Sequence, residues 1–175
     1  MTCIACHGPN AEGMAAMKSP ALAGQGPEYI IRQLQNFKNG HRGADMAKDM
    51  QGGMMAPMAK MLSDDDMKNV AAYIQTLNGK AQHTLKGDAA QGQAKFALCV
   101  ACHGPNGEGV PATKAPALTN LPDEYIVRQL QNFKNGVRGA DAAKDMLGGQ
   151  MAMFAKMLSD DDMKNIAEYI KTLKK

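Results

Sequence analysis

Apolar side chains recur every three or four residues in two segments of the C-terminal half of the chain. In DEYIVRQLQNFKNG, residues 123–136, Ile126, Leu130 and Phe133 fall on one helical face, and Gly136 is placed to end the helix. In SDDDMKNIAEYIKTL, residues 159–173, one stripe carries Met163, Ile166, Ala167, Ile170 and Leu173. The spacing predicts two amphipathic helices whose apolar faces form a core.

The second of these helices has a clear start signal. Ser159 is a preferred N-cap residue, and Asp162 three residues later completes a capping box. Leu158 before the cap and Met163 after it have the spacing of a hydrophobic staple. Acidic residues stabilise the positive end of a helix, so the run 160–162 is interpreted as capping and not as catalytic.

A further helix is predicted over AAQGQAKFALCVAC, residues 89–102, with Asp88 as its N-cap. Gly92 and Phe96 share one face, and the glycine would permit a close crossing of another helix. The stretch 104–120 is rich in Gly, Pro, Asn and Thr, which predicts a loop. The Gly-interrupted and Met-rich stretch at 137–157 predicts short helix and loop.

The chain is an internal duplication. Residues 3–79 align without a gap with the segment 96 positions further on, and 54 of the 77 positions are identical. Self-similarity at this level implies one fold for both halves. We therefore expect a first domain at 1–79, a short polar linker at 80–86 and a second domain at 87–175. His83 has no counterpart and is interpreted as a solvated linker residue.

The motif C-x-x-C-H begins each repeat, as Cys3, Cys6 and His7 and as Cys99, Cys102 and His103. This is the attachment sequence of c-type haem, because the two thiols each form a thioether to one porphyrin edge and the imidazole binds iron. A zinc site would need two further Cys or His ligands per copy, and a redox dithiol needs no His after its second Cys. The motifs use all four cysteines, so the sequence predicts two covalently bound haem c groups.

Composition agrees with domains that depend on a bound group. The 175 residues include no Trp, and only 5% are aromatic, which is little for two independent cores. A net charge of +3 without a Lys/Arg run argues against nucleic-acid binding. No apolar run approaches the ~18 residues of a membrane span, and no signal peptide is visible. Because haem is attached covalently outside the cytoplasm, we expect a periplasmic protein whose leader has been removed.

The order of helix, C-x-x-C-H, loop, helix, Met-rich segment and terminal helix resembles a class I cytochrome c domain. The tandem resembles the two-haem cytochrome c4 family over nearly the whole chain, in the stretches CHGPN, PALAGQ, YIIRQLQNFKNG and LSDDDM. The resemblance implies an all-α fold of two tandem class I cytochrome c domains, each wrapped around one covalently bound haem.

The chain departs from this family pattern in two places. The second repeat has PALTNLP where the first has PALAGQG, so contacts near this loop are expected to differ. The first repeat also lacks the helix that precedes the C-x-x-C-H motif and packs across the terminal helix in such domains. We expect Tyr73 and Ile74 to lose that partner. Either the given sequence is truncated at Met1, or something else covers this face.

The sixth ligand of each iron is sought among fifteen methionines. Four pairs recur in the duplication: Met50/Met146, Met55/Met151, Met61/Met157 and Met67/Met163. The last pair is explained by the staple, and the third is expected to pack beside the Leu that precedes the cap. Of the other two pairs, Met55/Met151 is favoured, because it follows a Gly-Gly stretch at which the chain can approach a haem closely.

The resemblance to cytochrome c4 selects Met55 and Met151, each seven residues before the Leu of the final helix cap. His41 is a rival in the first domain alone, because its counterpart is Val137.

The resemblance also implies how the proximal imidazoles are oriented. The backbone carbonyls of Pro20 and Pro116 are expected to accept from the second ring nitrogen of His7 and His103.

Met and His ligation of both irons would leave no open coordination position, which predicts outer-sphere transfer of single electrons and no enzymatic activity. The expected role is a periplasmic carrier between a quinol-oxidising complex and a terminal oxidase or reductase, compatible with peripheral membrane association. The alternative is a haem enzyme, or the electron-accepting subunit of one, of the peroxidase or thiosulfate-oxidising type. A haem enzyme would require one vacant or weakly ligated iron with acid–base residues over it. A third reading is a link in a haem wire, in which a neighbour completes the first domain.

Overall fold

The computed structural model describes residues 3–173, which form α-helices joined by loops. Within the first repeat the helices are α1 (Ile4–His7), α2 (Pro27–Lys38), α3 (Met50–Lys60) and α4 (Asp64–Ile74). The linker and second repeat add α5 (Ala89–Phe96), α6 (Val100–His103), α7 (Asp123–Lys134), α8 (Met146–Lys156) and α9 (Asp160–Thr172). The predicted all-α architecture is confirmed. Within the described residues, no helix combines the length and apolar character needed to cross a membrane.

The core of the second domain lies between α5, α7 and α9. The predicted stripe on α9 is buried to 2% exposure or less at Met163, Ile166, Ala167 and Ile170, and Leu173 packs at its edge. On α7 the predicted positions Ile126, Leu130 and Phe133 are also buried. Each such apolar side chain contributes about 1.5–3 kcal/mol when it leaves water, which is why these two faces pack together.

The capping box predicted for α9 is confirmed. The Asp162 amide donates to Ser159 Oγ at 3.1 Å, and the Ser159 amide donates to the Asp162 carboxylate at 2.9 Å. The hydrogen bond from the Ser159 amide to the carboxylate lowers the pKa of Asp162. Leu158 and Met163 are buried in one cluster, as a hydrophobic staple requires. The cap therefore sets where α9 begins and presses its first turn onto the core.

The segment predicted as one helix over 89–102 is two helices, which corrects that prediction. α5 ends at Phe96, and α6 begins at Val100. Between them the Cys99 amide donates to the Phe96 carbonyl at 2.8 Å in a tighter, three-residue turn. Phe96 is anchored in the core, whereas Cys99 and Cys102 line a cavity. The turn redirects the chain from one environment to the other.

The predicted close crossing at Gly92 is present between α5 and α9. A Cβ atom at Gly92 would overlap the Asn165 carbonyl and lie 2.9 Å from Tyr169 Cβ, so this position requires glycine. The Phe96 ring packs against the Tyr169 ring with centroids 5.4 Å apart. The face of α9 that carries Tyr169 is thereby covered by α5.

The matching face of α4 in the first domain is only partly open. Tyr73, the counterpart of Tyr169, is 59% exposed, as expected for a residue without that partner. Ile74 is 5% exposed and packs in the cluster that contains Ile30 and Leu34, which agrees, for this residue, with the alternative that something else covers the face. This contact comes from α2, an element that the sequence analysis did not name as the cover.

Each Met-rich segment consists of a loop followed by one short helix, as predicted. α3 and α8 each have 11 residues, and their paired glycines lie near the start of the helix. A Cβ at Gly52 would overlap the Asp49 carboxyl group, and a Cβ at Gly43 would overlap the Gly52 carbonyl. The glycines therefore let the preceding loop pack on the helix. Gly148 also lines the cavity that contains Cys99 and Cys102, and its close approach to a haem stays a prediction.

Asn120 joins the linker to both domains. It takes the place of Gly24 in the first repeat, and both residues adopt positive φ, 64° and 84°. Its side chain accepts from the Ala81 amide at 2.9 Å and donates to the carbonyls of Ala23 and Gly79 at 2.8 and 2.9 Å. This is one of the differences expected from the PALTNLP stretch.

Asp123 is the second difference and takes the place of Pro27. Its carboxylate is 1% exposed and accepts from the amides of Thr84 and Leu85 in the linker, with Lys171 Nζ at 3.4 Å. Burial raises the pKa of Asp123, but the backbone amides and the charge of Lys171 outweigh it, and the pKa lies below its usual 3.8. The linker is thus fixed to the second domain.

The two domains meet across an approximate two-fold axis. Arg32 Nη2 donates to the Lys114 carbonyl at 2.8 Å, and Arg128 Nη2 donates to the Lys18 carbonyl at 2.6 Å. Lys114 and Arg128 are the counterparts, 96 positions on, of Lys18 and Arg32. The two hydrogen bonds therefore exchange partners, as in the isologous interface of a homodimer.

Candidate haem centres

The proximal histidines have the same geometry in both domains. His7 Nδ1 lies 2.9 Å from the Pro20 carbonyl, and His103 Nδ1 lies 2.9 Å from the Pro116 carbonyl. These are the acceptors implied by the resemblance. Donation from Nδ1 to a carbonyl leaves the Nε2 lone pair free for a metal.

Both imidazoles are buried and neutral at physiological pH. His7 and His103 are 9% and 7% exposed. Burial lowers the pKa of each ring, and the hydrogen bond to the proline carbonyl opposes this only in part. A metal ligand must be deprotonated at the donor atom, so this environment suits iron binding.

The local backbone explains why the histidine follows the second cysteine so closely. The His103 amide donates to the Cys99 carbonyl at 2.9 Å, which closes a single helical turn. Gly104 ends that turn with φ of 84°, and a Cβ there would overlap the Glu108 carboxyl group. The Glu108 carboxylate in turn accepts from the Asn106 amide at 2.9 Å. The first repeat forms the same turn, so the CHGPN stretch positions each histidine locally.

The second domain contains a cavity of about 440 Å³. Its wall includes Cys99, Cys102, His103, Pro116 and Met151. Burial raises the pKa of the Cys99 thiol to about 11, and the neighbouring Cys102 adds to this effect. The structure thus brings the predicted attachment cysteines, the proximal histidine and the predicted distal methionine of this domain around one space.

Burial separates the four recurring methionine pairs. Exposed fractions of 60–65% occur in two of them, Met50/Met146 and Met61/Met157. The prediction that the second of these pairs packs beside the cap is therefore wrong, because both residues are the solvent-facing C-caps of α3 and α8. The staple pair, Met67/Met163, is fully buried in the core. Met55 and Met151 are partly buried and pack at the edges of the clusters.

The wall of this cavity fits a haem. It combines apolar side chains such as Leu130 and Phe133 with the Arg138 guanidinium. The Arg138 Nε atom is buried and has no hydrogen-bond partner among the described residues. A haem offers both an apolar ring for the first and carboxylates for the second. The donor set therefore suits this group, and Cys99 and Cys102 in the same wall would form its thioethers.

Sequence reasoning missed the polar residues of this wall. Arg138 was not singled out, nor was Gln129, and Tyr29 and Gln33 come from the other domain. One signal was available, because an R-G pair recurs two residues after the helix-ending glycine in both repeats. The contribution of the first domain carries no local signal, since it depends on how the domains pack.

Comparison with known proteins identifies the family. A family model described as Cytochrome c matches residues 1–78 and 89–174. Cytochrome c4 of Azotobacter vinelandii is 34% identical over 98% of this chain and 84% of that protein. A thiosulfate dehydrogenase electron acceptor of Stutzerimonas stutzeri (strain A1501) is 35% identical over 97% of this chain and 77% of that protein.

The same relationship holds in three dimensions. The crystal structure of reduced recombinant cytochrome c4 from Pseudomonas stutzeri matches with a TM-score of 0.78 and 32% identity, over 99% of this chain and 94% of that one. The predicted tandem fold and the two covalently bound haem c groups are confirmed. The chain belongs to the cytochrome c family, as a dihaem electron-transfer protein of the cytochrome c4 type.

Proposed function

We propose that His7 with Met55, and His103 with Met151, are the axial ligand pairs of the two irons. The observation that carries this proposal is the cavity of the second domain, whose wall contains both His103 and Met151. Haem iron bound in this way supplies one-electron redox chemistry, and thioether ligation raises its potential relative to more electron-donating ligands. The protein fills both axial positions from its own side chains, so a substrate has no place on the metal.

The ligation has a direct spectroscopic test. The ferric protein is expected to show the weak red band of sulfur-to-iron charge transfer, at the strength of two sites. Carbon monoxide is expected to bind the reduced protein slowly and incompletely, because the axial methionines must leave first. Rapid and complete binding at one haem would overturn the ligand assignment there and favour a haem enzyme.

We further propose that the protein is a periplasmic carrier of single electrons between a quinol-oxidising complex and a terminal oxidase or reductase. Its support is the similarity to cytochrome c4 over nearly the whole chain, together with the proposed axial ligand pairs, which would leave neither iron open to substrate. The second candidate is the electron acceptor of a thiosulfate-oxidising enzyme. It is favoured by the similarity, of the same extent, to a protein with that description.

Rapid mixing separates the two candidates. The oxidised holoprotein is mixed either with a quinol-oxidising complex and quinol, or with a thiosulfate dehydrogenase and thiosulfate, and haem reduction is followed by absorption. The carrier proposal expects fast reduction in the first mixture and re-oxidation by membranes that contain a terminal oxidase. Fast reduction only in the second mixture, with thiosulfate alone as the inactive control, would establish the second candidate. Failure in both would overturn both proposals.

A further inference from the structure

One face of α3 in the first domain carries a row of exposed methionines. Met50, Met54, Met58 and Met61 follow one another at intervals of three or four residues, and Met61 is the C-cap of the helix with helical backbone angles. At 3.6 residues per turn, the four positions fall within about 80° of one helical face. Their exposed fractions are 36–65%. We call these four residues the methionine stripe.

The methionine stripe is separate from the residue that we propose as an axial ligand of iron. Met55 lies outside this arc of the helix, is partly buried, and packs against the cluster that contains Ile30 and Leu34. From residue 50 to residue 61 the sequence contains no Asp, Glu, His or Cys. The donor atoms that the stripe presents to solvent are therefore thioether sulfurs, and they are not needed to hold the haem.

Packing within the domain does not explain the methionine stripe. An apolar side chain stabilises a fold by leaving water, and these four side chains remain largely in contact with it. In the second repeat, Gln150 and Phe154 occupy the positions of Met54 and Met58. The α8 helix nevertheless has the same length as α3 and keeps the buried alanines at the same places. The helix therefore forms without methionine at these two positions.

A row of thioethers is selective for one class of metal ion. Thioether sulfur is a soft donor, and soft protein ligands select Cu(I), whereas Mg²⁺ and Ca²⁺ require oxygen ligands. The sulfurs are also neutral, so they suit a monovalent cation better than a divalent one, whose charge they would not offset. Within residues 3–173, no group of three His, Cys, Asp or Glu side chains is arranged to hold a metal ion.

The spacing along α3 allows three sulfurs to meet at one ion. Met54, Met58 and Met61 have the i, i+4, i+7 spacing, and neighbours in such a row have Cβ atoms about 5–6 Å apart. Methionine has three rotatable side-chain bonds, which let the sulfurs converge without any movement of the backbone. We propose that the methionine stripe is a binding site for Cu(I), with Met54, Met58 and Met61 as thioether ligands. Met50 adds a fourth thioether one turn away.

Cu(I) itself is the probe, added to the reduced holoprotein in the absence of oxygen. The affinity is measured by competition with a Cu(I) chelator, and X-ray absorption at the copper edge reads the ligand atoms. We expect a shell of sulfur without nitrogen or oxygen. In protein labelled at the methionine methyl groups, NMR signals of Met54, Met58 and Met61 should shift on addition of Cu(I). Signals of Met153 and Met157, the exposed pair on α8, should stay in place.

The internal repeat supplies the variant and its control. Met54→Gln combined with Met58→Phe installs the residues of the second repeat, in which the same helix forms. Because even indirect partners of a metal change its affinity by about 10–100-fold, loss of two direct ligands should weaken Cu(I) binding at least about tenfold. The control Met14→Val with Met17→Thr removes two exposed thioethers elsewhere in the first domain, again in favour of second-repeat residues. It should change the affinity less than about threefold, as distant sites do.

Each outcome decides for or against the site. Equal Cu(I) affinity in the wild type and the stripe variant would overturn the proposal, and so would a nitrogen or oxygen ligand at the copper. An equal loss in the control would also overturn it, because binding would then follow the number of exposed methionines and not their arrangement. Haem absorption verifies that each variant is folded. If the double variant fails to fold, Met61→Leu, which conserves volume at an exposed position, is judged by the same criteria.

Discussion

Replacing Asp123 by Asn is expected to weaken the attachment of the linker to the second domain. The carboxylate accepts from the amides of Thr84, Leu85 and Glu124 at distances of 2.8–3.1 Å. Asn offers one acceptor oxygen where Asp has two, so its NH₂ group must face one set of these amide donors. A buried donor left without its acceptor costs about 1–3 kcal/mol. We therefore expect the linker attachment to weaken by about 2 kcal/mol.

Amide hydrogen exchange reads this attachment directly. A loss of about 2 kcal/mol corresponds to about 30-fold faster exchange at Thr84 and Leu85, since a tenfold change is about 1.4 kcal/mol. Glu124→Gln is the matched control, because that carboxylate accepts only from the Thr84 hydroxyl in the linker, at 2.7 Å. In this control variant, amide exchange at Thr84 and Leu85 should change less than about threefold. Unchanged exchange at both amides in Asp123→Asn would refute this reasoning.

Acid is expected to weaken the same attachment. Burial raises the pKa of Asp123, but the hydrogen bonds from backbone amides and Lys171 bring it below 3.8 in the folded protein. A carboxyl group with a depressed folded-state pKa stabilises fully above its unfolded-state pKa and loses this contribution as pH falls through the folded-state value. After correction for intrinsic rates, exchange at Thr84 should accelerate below pH 3.8 in the wild type. The Asp123→Asn variant should lack this step.

Three further expectations follow from packing and ligation. Gly92→Ala should destabilise the second domain by about 1–3 kcal/mol in denaturant unfolding, because the added methyl overlaps a carbonyl of α9. The control Gly26→Ala should change the stability little, because a Cβ at that position meets open space. Met151→His should keep its haem low-spin but lower its potential by about 100 mV in a redox titration, and an unchanged potential and red band would contradict the ligand assignment. Dilute peroxide should oxidise Met61, 65% exposed, before the fully buried Met67, and equal rates by peptide mass spectrometry would contradict the burial pattern.

Several features of this protein were determined by the sequence alone, and they share one physical property. The C-x-x-C-H turn, the Ser159–Asp162 capping box and the glycine end of α7 each depend on residues within four or five positions of one another. Local hydrogen bonds and backbone preferences settle such features before any long-range contact forms. The 96-residue repeat then extended each local assignment to the other domain.

Helix faces were also predictable, but their partners were not in every case. The periodicity correctly identified the buried stripe of α9, because a helix with one apolar face must cover it. It did not identify what covers the first domain, where α2 packs on Ile74 while Tyr73 is open to solvent. It also failed for Met61 and Met157, since a methionine at a helix C-terminus is buried only if another element reaches it.

Only the tertiary structure decided the interactions that join the two halves. Asp123 meets the linker amides across 38 and 39 positions, and Arg42 meets Gln129 across 87. Neither contact carries a sequence signal, because a carboxylate or glutamine has the same local preferences whether it faces water or a buried donor. The packing of one domain on its duplicate creates that difference, by removing water from groups that must then satisfy one another.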